Sequence, residues 1–287
     1  MNKDETTVQA ELEKLTTTCP HCGKRLLTVV GLFVQMDPED ARFGLVDGLE
    51  RVCDCAVAKR MAEDEKREEE AKERENEEKK AAKRARAIFE ASGMPERWMQ
   101  ERSLSHWERE DAGRKAAYEA ARGFGAALVG GQVPRSLYVV GDIGVGKTFL
   151  CSCLCTDLVR RGQRVVWRNM SEVLREIREC FDRRDLKESE VIARFTRPTV
   201  LVLDDLGKER PTEWAVEQLF GIVNARYDAG KVLIVTTNYG SEELARRLTP
   251  RPDVHGYADD TTARAIVDRL RGMSECVILE GGSRRRR

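Results

Sequence analysis

Eight consecutive residues near the middle of the chain fit the phosphate-binding pattern G-x-x-x-x-G-K-[ST] at every required position. They are Gly141, Asp142, Ile143, Gly144, Val145, Gly146, Lys147 and Thr148. Residues 136–140 predict a buried strand before this loop, and residues 148–159 predict a helix after it. Glycines let backbone N–H groups and the helix N-terminus face an anion. The pattern therefore predicts a nucleoside triphosphate site, in which Lys147 reaches the β and γ phosphates and Thr148 binds Mg²⁺.

A second motif supplies the acidic partner of this loop. The apolar strand predicted at Thr199–Asp204 ends in two carboxylates, Asp204 and Asp205. Asp204 is expected to bind Mg²⁺, directly or through water, and Asp205 to orient the attacking water. Asn238 follows another apolar strand, Val232–Thr236, where its amide can hydrogen-bond the γ-phosphate or the water. A simple turn-forming role for Asn238 stays open.

Strands and helices alternate through this part of the chain. The predicted strands lie at 136–140, 164–168, 199–204, 232–236 and 275–279. This alternation predicts an α/β fold with a five-stranded parallel sheet covered by helices on both faces. We also predict a helix at Glu108–Leu128, a Ser-capped helix at Ser171–Arg184 and a Thr262-capped helix that Gly272 closes. Three cysteines on the helix after the loop are expected to be core residues: Cys151, Cys153 and Cys155.

The N-terminal part carries two cysteine pairs. They are Cys19 with Cys22, and Cys53 with Cys55. A hairpin with strands at Leu26–Val34 and Phe43–Val52 would bring the pairs together, and four thiolates suit a structural Zn²⁺ site. His21 could replace one ligand, and a cluster of four reduced cysteines is the alternative. We therefore predict a zinc-binding domain at residues 1–55.

Charged residues make up 35% of the chain and are concentrated after this domain. Glu, Lys, Arg and Ala dominate residues 56–86, where opposite charges recur four positions apart and support a solvated helix. No apolar seam for a coiled coil exists there. We predict a charged helical linker at residues 56–90 that separates the zinc-binding domain from an ATPase domain at residues 91–287.

The charges of the whole chain balance, with 50 Lys and Arg against 50 Asp and Glu. Binding of a polyanion therefore requires a local basic patch. The candidates for single-stranded DNA are arginines on the helix at 171–184 and the tail Arg284–Arg287, although both could be ordinary solvated charge. The helix candidates are Arg175, Arg178, Arg183 and Arg184. The chain has neither a signal-peptide pattern nor 18 consecutive apolar residues, so we expect a cytoplasmic protein without membrane association.

Several motifs follow one another in a specific order along residues 86–285, and together they resemble a known family. The matching stretches are Gly93–Trp98, Gly141–Thr148, Asp204–Glu209, Thr236–Asn238, Ile266–Leu270 and the closing residues 278–285. The combination resembles the AAA+ ATPases of the DnaC/DnaI replicative helicase-loader group and the related IstB transposition helpers. The resemblance implies that Asn238 is the sensor-1 residue and that Arg269 is an arginine finger acting on the nucleotide of a neighbouring subunit. It also places Met94-Pro95 near the adenine.

The resemblance further implies an ATP-dependent loader of a hexameric, DnaB-like replicative helicase onto single-stranded DNA. Such a loader would form a homo-oligomer on ATP and DNA, and its N-terminal zinc domain would contact the helicase. Asp205 stands where AAA+ proteins commonly have Glu, which is consistent with a slow, DNA-regulated and partner-regulated ATPase. Two alternatives remain: an IstB-like ATPase helper of a DNA transposase, and an adaptor that uses nucleotide only as a structural clamp.

Overall fold

The structure is a computed structural model of the 287-residue chain. It describes residues 16–18, 21–23, 25–27, 56–182, 187–208, 211–251 and 259–284. The chain forms two compact units, Met1–Glu78 and Lys79–Arg287. Among the helices of the described residues, none combines the length and the apolar character that crossing a membrane requires.

In the first unit, a short antiparallel ladder joins β1 (Thr16–Thr18) to β2 (Arg25–Leu27). The chain reverses between them, and Gly23 has a φ of 72°, which favours glycine. Of the four predicted zinc ligands, Cys19, Cys53 and Cys55 lie outside the described residues, as does the strand predicted at 43–52. The zinc-binding domain therefore stays a prediction.

A single long helix, α1 (Ala56–Ser92), covers the predicted linker. Its described side chains are exposed up to Arg84, and then Ala85 and Phe89 are buried against the second unit's core. The helix ends at Gly93, whose φ is 82°. A Cβ at Gly93 would lie 1.6 Å from Nη1 of Arg168, so this position requires glycine. The helix and its end at residues 92–93 agree with the sequence prediction, and the second unit includes the last turns of α1.

The second unit contains the predicted five-stranded parallel sheet. Its strands are β3 (Ser136–Gly141), β4 (Val165–Asn169), β5 (Val200–Asp204), β6 (Val232–Thr237) and β7 (Ser274–Leu279). Their order is β4-β5-β6-β3-β7. The strand before the phosphate loop thus pairs with β6, and β6 pairs with β5, so the three predicted motifs end at the same edge of the sheet.

Helices cover both faces of this sheet, as the alternation of elements predicted. They are α2 (Trp98–Glu101), α3 (Ala112–Val129), α4 (Lys147–Arg160), α5 (Met170–Asp182), α6 (Glu188–Thr196), α7 (Glu213–Asp228), α8 (Ser241–Leu248) and α9 (Thr261–Met273), with a 3-10 turn at Leu104–His106. Successive strand residues point to opposite faces. Val200 and Val202 therefore join the core under α3 and α4, whereas Leu201 and Leu203 join the core under α5 to α9.

The termini of three helices differ from the predictions. Helix α5 begins at Met170, because Asn169 rather than Ser171 caps it and exchanges hydrogen bonds with Glu172 in a capping box. Helix α9 begins at Thr261, so Thr262 and Gly272 lie inside it rather than at its ends. Helix α3 begins at Ala112 rather than Glu108, because the side chain of Asp111 accepts the N–H of Arg114.

Candidate functional site

The phosphate loop joins β3 to α4, and its glycines adopt conformations that other residues rarely reach. Gly144 has a φ of 89° and Gly146 a φ of 108°. Gly146 is also the N-cap of α4, so the N–H groups of the first helical turn face the space in front of the loop. A Cβ at Gly141 would lie 2.0 Å from the carbonyl oxygen of Leu279. The loop therefore has the concave backbone that a phosphate group needs.

Lys147 links this loop to the end of β6. Its ammonium donates hydrogen bonds to the carbonyl oxygens of Gly141 and Asp142, both at 2.9 Å, and to Oδ1 of Asn238 at 2.5 Å. Only 5% of Lys147 is exposed. Phosphate oxygens carry negative charge and would form stronger bonds with the ammonium than these acceptors do. The structure thus brings together two residues that the sequence predicted for the site.

Thr148 and Asp204 are in direct contact. The hydroxyl of Thr148 donates to Oδ1 of Asp204 at 3.1 Å, and the hydroxyl of Thr236 donates to the same oxygen at 2.6 Å. Burial raises the pKa of Asp204 above its ordinary value, against the opposing effect of these hydroxyls. A hydroxyl and a carboxylate at the phosphate loop are the oxygen ligands that Mg²⁺ takes alongside substrate phosphates. These two residues therefore fit the predicted magnesium site.

Asp205 follows in a left-handed conformation, with a φ of 55° that is uncommon for residues other than glycine. Its N–H donates to Oγ1 of Thr236 at 2.9 Å, which fixes the backbone beside Asp204. Its carboxylate lies 3.9 Å from Nζ of Lys208. The conformation turns the side chain of Asp205 toward the cavity in front of the phosphate loop, which it lines together with Asn238.

This nucleotide cavity has a volume of about 840 Å³. The phosphate loop with Lys147 and Thr148 forms one wall, and the segment that precedes α3 forms another. That wall includes Trp107, which stacks on Phe149 with ring centroids 6.2 Å apart. The volume lies within the range of small-molecule sites, which are mostly apolar with a few polar groups. The cavity can therefore accommodate a nucleotide.

Arg114 supports the loop and also lines the nucleotide cavity, a role that no local sequence pattern indicated. Its guanidinium stacks over Trp107 at 3.8 Å and donates to the carbonyl oxygen of Val145 at 3.3 Å. In return, Nε1 of Trp107 donates to the carbonyl oxygen of Arg114. A Cβ at Gly146 would lie 3.2 Å from the Trp107 ring. Burial lowers the pKa of Arg114, and the buried pair holds the loop in shape.

Arg269 does not join the nucleotide cavity. It lies on α9, where its Nε donates to Oδ1 of Asn224 at 2.7 Å and its guanidinium stacks over Phe220. Together with Asp268 and Arg271 it lines a separate surface cavity of about 560 Å³. The cavity in front of Lys147 and the surface around Arg269 are thus distinct features of one subunit.

The arginines predicted to contact DNA differ in their surroundings. Arg178 stacks over Trp214 at 4.8 Å and lines a cavity of about 340 Å³ that Asp204 and Asp205 also line. Arg175 is exposed and lies 3.8 Å from Glu179. Arg183, Arg184 and the tail residues 285–287 lie outside the described residues. Arg284 is described, and it lines the nucleotide cavity.

Met94 is buried in the core, and neither it nor Pro95 is among the residues that line the nucleotide cavity. The expectation that they lie near the adenine therefore finds no support in the geometry.

The three cysteines of α4 are buried core residues, as predicted, and burial raises the pKa of each thiol. Among the described residues, no cluster of three or more His, Cys, Asp or Glu side chains could hold a metal ion. His21 and Cys22 are exposed at the turn between β1 and β2.

Comparison with protein families gives one match, to the family described as IstB-like ATP binding protein, over residues 132–287. The matched region begins just before β3 and includes the phosphate loop, both aspartates, Asn238 and Arg269. It covers more than half of the chain.

Individual relatives fall into two groups. The chain is similar to the replicative helicase loader DnaI of Bacillus subtilis, with 25% identity over 53% of the chain and 48% of DnaI. It is equally similar to a putative ATP-binding protein of a Mycobacterium tuberculosis insertion sequence, with 30% identity over 53% of the chain and 56% of that protein. The chain therefore spans about half the length of the curated relatives it matches.

Among solved structures, a crystal structure of DnaI superimposes with a TM-score of 0.55 and 27% identity, covering 67% of this chain and 95% of that one. The structural match covers a larger share of the chain than the family match does.

Proposed function

The chain belongs to the IstB/DnaC family of AAA+ ATP-binding proteins, and from this premise we propose that it is an ATP-dependent loader of a replicative, hexameric helicase on single-stranded DNA. The observation that carries the proposal is the division of the site between two surfaces. Lys147, Thr148, Asp205 and Asn238 line one cavity, and Arg269 lies outside it. A loader that assembles side by side on DNA would use both surfaces at each interface between subunits.

The predicted site residues would have distinct roles in hydrolysis. Lys147 exchanges its present acceptors for the β and γ phosphates, and Asn238, which now holds that ammonium, can then hydrogen-bond the γ-phosphate or the attacking water. Asp205 orients the water. Thr148 and Asp204 would hold Mg²⁺, which neutralises phosphate charge when it is bound.

Arg269 completes the site from the neighbouring subunit. A guanidinium is always charged and planar, so it can stabilise the charge that develops on the transferred phosphoryl group. In the isolated subunit, Asn224 and Phe220 hold Arg269 at the surface rather than in its own nucleotide cavity. Hydrolysis would then depend on assembly, and a slow basal rate is expected.

The DNA-binding part of the proposal concerns α5. Arg178 and Asp205 line one cavity, so DNA phosphates that contact α5 would alter the surroundings of the residue that orients the water. This arrangement supports stimulation of hydrolysis by single-stranded DNA.

The helicase-binding part concerns residues 1–55. Zn²⁺ held by Cys19, Cys22, Cys53 and Cys55 would fold this segment, and α1 would carry it. The zinc content of the purified chain tests this point: one zinc per chain is expected, with loss of zinc when Cys22 and Cys53 are replaced by serine. A chain that holds no zinc would contradict it.

The decisive experiment is co-purification with a DnaB-like hexameric helicase, using the full chain and a variant that lacks residues 1–55. Binding by the full chain, and its loss on truncation, would support the loader. A full chain that binds no replicative helicase and leaves its loading on single-stranded DNA unchanged would contradict the proposal.

A second function has specific support, namely an ATPase helper of a DNA transposase. The family description and the insertion-sequence relative both favour it. The same chemistry would then act on duplex DNA with a transposase as partner. Tighter binding to double-stranded than to single-stranded DNA, together with capture of a transposase, would favour this function over helicase loading.

A further inference from the structure

The segment that follows β7 returns across the phosphate loop. The backbone N–H of Arg284 donates to the carbonyl oxygen of Gly144 at 3.0 Å. A Cβ at Gly144 would lie 2.2 Å from Oγ of Ser283 and 3.0 Å from its Cα. The segment after β7 therefore packs directly on the phosphate loop, although 138 residues separate Gly144 from Ser283 in the sequence.

The side chain of Arg284 then reaches the segment that precedes α3. Its Nη1 forms an ion pair with Oε2 of Glu108 at 2.8 Å, and its Nη2 pairs with Glu110. Arg284 and Glu108 both line the nucleotide cavity together with Lys147. A cation from the tail and one of the carboxylates that hold it thus both line the cavity in front of the phosphate loop.

These ion pairs are poorly suited to a permanent structural role. The side chains of Arg284, Glu108 and Glu110 are 40%, 65% and 56% exposed. Exposed pairs contribute little to stability because water screens them and long side chains lose entropy. The phosphates of a nucleotide carry more charge than one carboxylate and match the guanidinium fork. A bound nucleotide can therefore take Arg284 away from the two glutamates.

We propose that Arg284 is a phosphate-binding residue of the same subunit, which exchanges Glu108 and Glu110 for the phosphates of the nucleotide that enters the cavity. The exchange rests on the proposed ATP site and adds to it a second cation besides Lys147. Because the backbone of Arg284 is bonded to Gly144, the guanidinium enters the cavity from a fixed point on the loop. The glutamates serve as a holding position for Arg284 in the absence of nucleotide.

The exchange of partners by Arg284 predicts a pattern of nucleotide affinities that a purely structural contact does not predict. If Arg284 only fastened the tail, its loss and the loss of the glutamates would both loosen the loop, and both would weaken nucleotide binding. If Arg284 moves to the phosphates, its loss weakens binding, whereas removal of the competing carboxylates tightens it. The glutamates could also weaken binding simply by repelling ATP. The variant that combines all three changes distinguishes this repulsion from competition for Arg284, because repulsion would persist without Arg284 and competition would not.

The test measures the Kd of a fluorescent ATP analogue with Mg²⁺ for the full chain. The variants are Arg284→Ala, the pair Glu108→Gln with Glu110→Gln, and all three changes together. The matched control is Arg264→Ala, since Arg264 is also exposed and ion-paired, with Asp260 at 2.6 Å, but lies on α9 and does not line the nucleotide cavity. Lys147→Ala serves as the reference for a lost site.

We expect Arg284→Ala to raise the Kd about tenfold, the size of one charge-assisted hydrogen bond. The two Gln substitutions should lower the Kd about two- to threefold, roughly the effect of a weak exposed pair. They should change nothing further in the Arg284→Ala background, and Arg264→Ala should match the wild type.

The inference is overturned if Arg284→Ala binds as the control does, if the Gln substitutions weaken binding, or if they tighten it equally without Arg284. These results leave the proposed ATP site intact as long as the wild type binds the analogue and Lys147→Ala does not. A wild type that fails to bind the analogue would overturn both.

Discussion

The contact between the tail and the phosphate loop makes a quantitative prediction at Gly144. Replacing Gly144 with alanine places a Cβ at a φ of 89° and 2.2 Å from Oγ of Ser283. The left-handed backbone costs a non-glycine residue about 1–2 kcal/mol. The clash displaces the tail, and with it the hydrogen bond from the N–H of Arg284, which is worth about 1 kcal/mol.

Together these terms predict a loss of about 2–3 kcal/mol in the free energy of unfolding of the second unit. For a domain of this size, such a loss lowers the melting temperature by about 5–10 °C. Thermal unfolding followed by circular dichroism, without nucleotide, measures the shift directly.

Gly131 supplies the matched control, because its φ is 78° and a Cβ there would meet no atom within 4 Å. Gly131→Ala therefore includes the backbone strain and omits the clash, and it should lower the melting temperature by about half as much. Adding Ser283→Gly to Gly144→Ala removes the two closest atoms and should bring that variant near the Gly131→Ala value. Equal melting temperatures for Gly144→Ala and Gly131→Ala would refute the packing of the tail on the loop.

Three further predictions concern buried charge and the basic helix. Asp204→Asn should abolish hydrolysis yet raise the melting temperature of the nucleotide-free protein at pH 7. Burial raises the pKa of Asp204, so the charged carboxylate lowers the stability of the folded protein at pH values above that pKa. The gain in melting temperature of Asp204→Asn should therefore vanish as the pH falls below the ordinary pKa of 3.8, and a gain that persists there would contradict this cause. Arg226→Met should lower the free energy of unfolding by about 3 kcal/mol, measured by urea titration, because the buried guanidinium donates to carbonyl oxygens that include those of Phe195 and Val232; a neutral effect would refute this role. Arg178→Ala should reduce the stimulation of ATPase activity by single-stranded DNA more than Arg175→Ala does. Equal effects would contradict the proposed link between DNA binding at Arg178 and the surroundings of Asp205.

The sheet could be predicted because its strands are short apolar runs that end in polar motifs. Burial on both faces gives β5 and β6 a continuous apolar sequence, and each of the five predicted strands agrees with the structure to within a residue at either end. The contact between Lys147 and Asn238 follows from the same logic, since parallel strands end at one edge.

Helix starts were predicted less well because neighbouring polar side chains compete for the same N–H groups. Asn169 stands two residues before Ser171 and finds Glu172 three positions further on, so its capping box prevails. Because Asn169 and Ser171 lie so close in the sequence, the sequence alone could not decide which of them caps the helix.

The long-range contacts that complete the nucleotide cavity around the phosphate loop could not be predicted from local pattern. The guanidinium of Arg114 bonds to Val145, 31 positions away, and that of Arg284 bonds to Glu108, 176 positions away. Arg114 belongs to none of the motifs, and the closing stretch that contains Arg284 carried no sign of this ion pair. Such pairs depend on how the segment before α3 and the tail after β7 pass the loop. A sequence alone reveals them only through an accurate fold.

The central claim, that each ATP site is completed by Arg269 of a neighbouring subunit, is tested most directly by mixing two inactive variants under conditions of assembly on single-stranded DNA. Lys147→Ala retains Arg269 but lacks a working phosphate loop, and Arg269→Ala retains the loop. In a random equimolar assembly, about a quarter of the head-to-tail interfaces pair an intact loop with an intact Arg269. We predict that the mixture recovers about a quarter of the wild-type ATPase rate, whereas each variant alone is inactive. An inactive mixture, or normal hydrolysis by Arg269→Ala alone, would contradict the account.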